Sequence, residues 1–92
     1  MTRLDDLAAE LQATAELPVE RSAARWIGEA EAVATDLTQG DPDPETVARR
    51  VGHVLELLGN VDDTGHPDAD GHVAAARSLA ANLLEELPDV SR

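Results

Sequence analysis

Apolar residues recur in this chain every three or four positions, and prolines and glycines interrupt the recurrence at three places. Such spacing places apolar side chains on one face of an α-helix, which has about 3.6 residues per turn. The interruptions are Pro18, "GDPDP" (40–44) and "GNVDDTGHP" (59–67). They delimit four predicted helices, at about residues 3–16, 18–38, 43–59 and 67–87.

Proline, aspartate and glycine mark the predicted helix ends. Proline is favoured at the first position of a helix, so Pro18 is interpreted as opening the second helix. Asp43 is suited to cap the third helix, with Pro44 in its first position. Gly59 is free to adopt the left-handed conformation that often ends a helix, and it is predicted to terminate the third helix.

The residues predicted to face inward are mostly Ala, Leu and Val. In chain order they are Leu4, Leu7, Leu11 and Ala15; Val19, Ala23, Trp26, Ala30, Val33 and Leu37; Val47, Val51, Val54, Leu55 and Leu58; and Val73, Ala76, Ala80, Leu83 and Leu87. No alternating run rich in β-branched residues predicts a strand. Short connections favour antiparallel neighbours, so the predicted fold is all-α: one domain, 1–92, forming a small antiparallel (up-down) four-helix bundle.

The charge of the chain is strongly negative. Asp and Glu number 19 against 7 basic residues, all of them Arg, and the net charge is −12. In dilute buffer this charge repels itself, whereas in molar salt the Debye length falls to about 3 Å and the repulsion is screened. The composition predicts a cytoplasmic protein of a halophilic archaeon; the alternative is an ordinary acidic protein from a GC-rich organism.

The composition also argues against several classes of function. Nucleic-acid affinity comes mainly from Lys and Arg that neutralise phosphates, so neither direct nucleic-acid binding nor binding to an anionic membrane is expected. The absence of Cys removes disulfides and thiolate chemistry. No apolar run approaches the roughly 18 residues that span a bilayer, and the N-terminus is acidic where a signal peptide is apolar, so we expect a cytoplasmic protein.

Three stretches carry a resemblance in layout: "LPVERSAAR" (17–25), "DPDPETVARRVGHVLELL" (41–58) and "DDTGHP" (62–67). They open the second helix, form the third and lead into the fourth. With this layout the chain resembles a family of short, uncharacterised archaeal proteins that fold as small four-helix bundles. The resemblance implies the fold and supplies no catalytic, cofactor-binding or partner-binding residue.

The densest cluster of possible metal ligands is "VDDTGHPDADGH" (61–72). In a helical hairpin, His53 and His72 lie at similar levels and Asp70 is close by. Two imidazoles and a carboxylate are suitable ligands for Zn²⁺, so these three residues are a candidate divalent-metal site. The alternative is an acidic turn, in which Asp68 and Asp70 favour the positive end of the following helix.

Trp26 is the only aromatic residue in the sequence. It lies on the predicted inward stripe, but Trp is also over-represented among the residues that dominate protein interfaces. Ile27 is adjacent to it, and Leu57 and Leu84 lie off the predicted inward stripes of their helices. Trp26, Ile27, Leu57 and Leu84 are therefore a candidate surface for a protein partner or for self-association.

Catalytic and cofactor-binding motifs are missing from the sequence. The serines lack a G-x-S-x-G context and no Gly-rich loop follows a strand, so neither an enzyme nor a cofactor is expected. We expect a non-enzymatic helical module that binds a protein partner or forms a homo-oligomer. Two alternatives remain: a small divalent-metal-binding protein, and an acidic decoy that occupies the basic groove of a nucleic-acid-binding protein.

Overall fold

The structure, a computed structural model, describes residues 2–40 and 42–86, with side chains from residue 4 onward. Its helices are α1 (Thr2–Ala15), α2 (Arg21–Thr38), α3 (Pro44–Leu58) and α4 (Pro67–Glu86), and this part of the chain contains no strand. α1 packs against α2 and α4, and α3 packs against the same two helices. The predicted all-α four-helix bundle is confirmed.

The two ends of the bundle show that neighbouring helices run in opposite directions. One groove is formed where four helix ends meet: the start of α1, the end of α2, the start of α3 and the end of α4. In that order, these ends contribute Leu4, Leu37, Val47 and Leu83 to its lining. We call this the groove end. At the other end, the backbone N–H of Glu20, before α2, donates to the carbonyl of Thr64, before α4, at 2.8 Å. We call this the turn end.

The core consists of small and medium aliphatic side chains. The fully buried ones are Leu7 and Leu11 in α1, Ala30 and Ala34 in α2, Val51, Val54 and Leu58 in α3, and Ala69, Ala76 and Ala80 in α4. Side chains as small as Ala can fill an interior at normal density only if the helices lie close together. The interior along the axis is therefore closed, and any binding surface has to lie at an end or on the outside.

The buried face of α2 is rotated relative to the predicted one. Its buried residues are Ala23, Ile27, Ala30, Ala34 and Leu37. Trp26 and Val33, which were predicted to face inward, are only partly buried and pack against the edge of the core. Two overlapping sets of residues both had helical spacing, so the spacing did not show which of them faces the axis.

α2 begins at Arg21, later than the predicted start at Pro18. Glu20 is its N-cap residue, with φ −59° and ψ 149°, and its N–H donates to the carbonyl of Thr64. Because this bond connects the chain before α2 to another turn, Pro18 lies in a linker. The prediction that Pro18 opens the helix is wrong, since a tertiary contact overrides the local preference.

The beginning of α3 follows the local prediction. The Asp43 carboxylate accepts a hydrogen bond from the Thr46 backbone N–H at 2.8 Å, and Pro44 occupies the first helical position. The backbone and then the side-chain hydrogen bonds from Thr46 lower the pKa of Asp43. This cap satisfies an N–H group that would otherwise lack a partner at the helix start.

α3 ends at Leu58 with Gly59 as its C-cap residue, so the predicted position of the helix end is confirmed. Gly59 has φ −63°, a right-handed conformation, so the left-handed conformation predicted for it is wrong. Instead the Arg77 guanidinium of α4 donates to the carbonyl oxygens of Leu58 and Val61, the second at 2.7 Å. A side chain from a neighbouring helix thus satisfies carbonyl groups that a glycine cap satisfies in other helices.

The remaining predicted inward residues are mostly buried. Leu7 and Leu11 lie in the core, but Ala15 is exposed and Thr14 is buried in its place. The buried residues of α4 include the predicted Val73, Ala76, Ala80 and Leu83, whereas Leu87 lies outside the described residues. No helix in the described part of the chain is long and apolar enough to cross a membrane.

Candidate functional site

Thr64 is at the centre of the turn between α3 and α4 and is fully buried. Thr64 donates two hydrogen bonds to the Asp70 carboxylate, one from its backbone N–H at 3.0 Å and one from its hydroxyl at 2.7 Å. The backbone carbonyl of Thr64 accepts a hydrogen bond from the Glu20 N–H. All the polar groups of Thr64 are therefore partnered, and they join this turn both to α4 and to the connection between α1 and α2.

Other polar side chains of this turn also bond to the chain's own backbone. The Asp63 carboxylate accepts the Gly65 N–H at 2.8 Å, and the His66 Nδ1 accepts the Asp68 N–H at 3.2 Å. Gly65 has φ +78°, and a Cβ atom there would lie 3.2 Å from the Glu20 Cγ atom. These contacts agree with the interpretation of "VDDTGHPDADGH" as turn chemistry.

The three predicted metal ligands, His53, His72 and Asp70, are not brought together. Asp70 accepts hydrogen bonds from Thr64, and the His72 Nδ1 lies 2.7 Å from the Glu10 Oε1 atom of α1. His53 is exposed on α3, because its place on the helix turns it away from the buried face. No group of three or more His, Asp or Glu side chains in the described part of the chain could hold a metal ion. The geometry gives the metal interpretation no support.

The contact between His72 and Glu10 joins α4 to α1. The side chains are 38% and 32% exposed, so solvent screens their interaction. A hydrogen bond that water can compete for contributes about 0.5–1.5 kcal/mol. We therefore interpret the contact as a modest structural link.

The four residues predicted to form a partner surface divide into two pairs. Ile27 and Leu57 are only 1% and 5% exposed, so a partner cannot reach them while the bundle is closed. Trp26 and Leu84 are partly buried against the core, and the Arg25 guanidinium lies 5.3 Å from the Trp26 ring centroid. Leu57 was expected to lie off the inward stripe, but α3 packs against two helices and its apolar face is wider than one stripe.

The groove end carries a concave surface of about 440 Å³. Its floor is apolar and consists of Leu4, Leu37, Pro42, Pro44, Val47 and Leu83. Asp5, Thr38, Gly40 and Glu86 complete the lining. The volume lies within the roughly 300–1,000 Å³ of small-molecule sites, and apolar walls with a few polar groups are typical of binding surfaces.

The described lining of the groove carries few polar groups. Its ionisable groups are the carboxylates of Asp5 and Glu86, and its hydroxyl group belongs to Thr38. The Thr38 hydroxyl already donates to the carbonyl of Thr35 at 2.7 Å. An apolar floor with carboxylates at its rim is suited to an apolar side chain whose neighbours are positively charged.

Sequence reasoning did not identify the groove, although it named most of the floor residues as core. Leu37, Val47 and Leu83 keep 5%, 7% and 5% exposure because the core ends at their level. A signal was present in the two prolines of "GDPDP", which form a rigid connection beside these residues. The groove itself depends on the arrangement of four helix ends, and that arrangement is tertiary.

The fold and the groove define the chain as a small four-helix bundle with one concave apolar end. Residues 3–89 match the family described as "Domain of unknown function (DUF8152)", and the chain belongs to this family. No curated protein and no solved structure matched the chain.

Asp70 provides a test of the turn. Hydrogen bonds from the backbone and then the side chain of Thr64 lower the pKa of Asp70. The stabilisation is therefore present above the unfolded-state pKa of about 3.9 and is lost as pH falls through the lower folded-state value. We predict that Asp70→Asn melts below the wild-type protein at pH 7 and that the difference shrinks as the pH falls toward 3.

Thermal melts followed by circular dichroism between pH 3 and pH 7 measure this effect. Asp62→Asn is the matched control, because it removes a charge from the same turn but none of these hydrogen bonds. A difference between Asp70→Asn and the wild-type protein that stays constant over this range would contradict the role given to the Asp70 carboxylate.

Proposed function

We propose that this chain is a non-enzymatic protein-binding module whose groove takes apolar side chains of a partner segment. The observation that supports the proposal is the concave apolar lining of the groove, in which Leu4, Pro42 and Pro44 are accessible at the surface. The axis of the bundle is closed. At the turn end, Asp63 and Asp70 accept hydrogen bonds from other residues of the turn. The groove is therefore the surface best suited to recognise another molecule.

The charge of the chain indicates the chemistry of the partner. With a net charge of −12 and with Asp5 and Glu86 at the rim, the groove favours a segment in which Lys or Arg flanks the apolar residues. Opposite charges raise the association rate and disfavour acidic competitors. A second copy of this chain carries the same negative charge, so self-association is the alternative and is favoured only when salt screens the repulsion.

Selection of peptides from a random library displayed on phage tests the proposal. We expect the enriched peptides to combine large apolar residues with Lys or Arg. Gly40 lies on the lining, and an added Cβ atom there meets nothing within 4 Å, so Gly40→Trp can block the groove without disturbing the core. We predict that Gly40→Trp weakens binding of the selected peptides at least about tenfold, a loss of about 1.4 kcal/mol.

Gly28→Trp is the matched control, because Gly28 is an exposed position of α2 where an added Cβ atom also meets nothing within 4 Å. This variant should bind the peptides as the wild-type protein does. The selection could instead enrich basic peptides without apolar residues that bind Gly40→Trp and Gly28→Trp equally well. That result would overturn the groove proposal and favour the acidic decoy. A selection that enriches no peptide would also overturn it.

We further propose that the chain functions in the cytoplasm of a halophilic archaeon. The composition supports this origin, since acidic residues outnumber basic ones by 19 to 7 and Lys is absent. Carboxylates keep such a surface hydrated in concentrated salt, and the salt screens their mutual repulsion. Stability should therefore depend on salt concentration.

We predict that raising KCl from about 0.1 M to about 2 M increases the midpoint of thermal unfolding by about 4–8 °C, the shift that a gain of about 1 kcal/mol from screened repulsion produces in a domain of this size. Scanning calorimetry or circular dichroism measures the shift. A variant with Asp6→Asn, Asp62→Asn and Glu85→Gln should melt higher at low salt and respond less to KCl. Equal midpoints at both concentrations would contradict the proposed adaptation.

A further inference from the structure

The arginines that the structure describes differ in the contacts that they make. The Arg77 guanidinium donates hydrogen bonds to two backbone carbonyl groups. Arg49 and Arg50 are exposed on α3, and neither guanidinium forms a hydrogen bond or an ion pair with a described residue. Arg49 attracts the Asp43 carboxylate only from a longer distance. Although the chain has 19 Asp and Glu against 7 basic residues, two adjacent guanidinium groups are therefore available to a ligand.

His53 lies beside this pair of arginines. It follows Arg49 by four residues and Arg50 by three, and side chains at these spacings are neighbours on the surface of a helix. The three side chains line one concave surface of about 550 Å³ on the outside of α3, which we call the α3 depression. Its other described lining residues are Ala48, Gly52 and Glu56. Two guanidinium groups and an imidazole thus line this surface together with a single described carboxylate.

Gly52 leaves room in the α3 depression. A Cβ atom at this position would meet nothing within 4 Å, and Ala48, one turn earlier, has no atom beyond Cβ. A ligand can therefore approach the helix backbone beside the long side chains of Arg49 and Arg50.

We propose that the α3 depression binds the phosphate group of a small phosphate monoester, held by Arg49 and Arg50. A guanidinium presents five N–H donors in a planar fork that fits two oxygens of a phosphate. A phosphate monoester carries close to two negative charges at neutral pH, since its second pKa is about 6, and two guanidinium groups balance this charge. His53 can donate one further N–H. The inference goes beyond the proposed function and does not depend on the groove.

The size of the ligand follows from the charge of the rest of the chain. The net charge is −12, and it repels an anion at long range. At an ionic strength of about 0.15 M the Debye length is about 8 Å, so a small ligand in contact with Arg49 and Arg50 is screened from most of the distant carboxylates. A nucleic acid or an anionic membrane extends beyond this distance and meets them. The α3 depression therefore favours a small phosphate over a polyanion.

Titration of the isotope-labelled full chain with inorganic phosphate, at neutral pH and constant ionic strength, tests the inference. We expect saturable changes in the amide signals of residues 48–56 in NMR spectra. Arg49→Gln with Arg50→Gln should weaken phosphate binding at least about tenfold, because charged hydrogen bonds to the phosphate are lost. Arg21→Gln with Arg25→Gln is the matched control, because it removes the same charge from exposed positions of α2. The control should bind phosphate nearly as the wild-type protein does.

Equal weakening in the two double variants would overturn the inference, because the protein would then respond to net charge alone. Signal changes that do not saturate at residues 48–56 would also overturn it. Acetate, which has one charge and two oxygens, should bind several-fold more weakly than phosphate. Equal binding of acetate and phosphate would overturn the assignment of the ligand.

A second pair of variants adds a charge and keeps both arginines. Gly52→Glu places a carboxylate in the α3 depression, and Gly28→Glu places one on the exposed side of α2. An added Cβ atom meets nothing within 4 Å at either position, so the fold should accept both. Phosphate should bind Gly52→Glu at least several-fold more weakly than Gly28→Glu. Equal affinity of these two variants for phosphate would contradict a site at the α3 depression.

Discussion

The bundle depends on the close packing of small aliphatic side chains along its axis. Ala30 and Ala34 of α2 and Ala76 and Ala80 of α4 are fully buried, and the sequence contains neither Phe nor Tyr. Helices with such faces have to lie close together, since an interior tolerates few voids. Among the described residues, a concave apolar surface lies at the groove end, where the core ends.

The polar residues serve two different purposes. In the turn, Thr64 and Asp70 satisfy backbone groups and join the two connections of the turn end. Arg77 does the same for the last carbonyls of α3. Most other described carboxylates lie on the surface, where they hold water and set the charge of the protein. Of the residues predicted as metal ligands, Asp70 and His72 make contacts within the fold, and the groove is lined in part by residues predicted as core.

The accuracy of sequence reasoning depended on how local each interaction is. The start of α3 was predictable because Asp43 and Pro44 act within one helical turn. The start of α2 was not, because the bond from Glu20 to Thr64 joins distant parts of the chain. His53 lies exposed on α3, away from the buried face of that helix, and the groove arises only when four helix ends meet.

The measurement that tests close packing most directly is the free energy of unfolding of Ala76→Leu, compared with Ala74→Leu in the same helix. Ala76 is fully buried, whereas Ala74 is exposed. Overpacking a closed interior costs about 1–3 kcal/mol, and surface substitutions usually stay within about 0.5 kcal/mol. We expect urea titration to show this contrast. An Ala76→Leu protein that is as stable as the wild-type protein, or more stable, would show that the axis can hold a larger side chain. That result would contradict close packing along the axis.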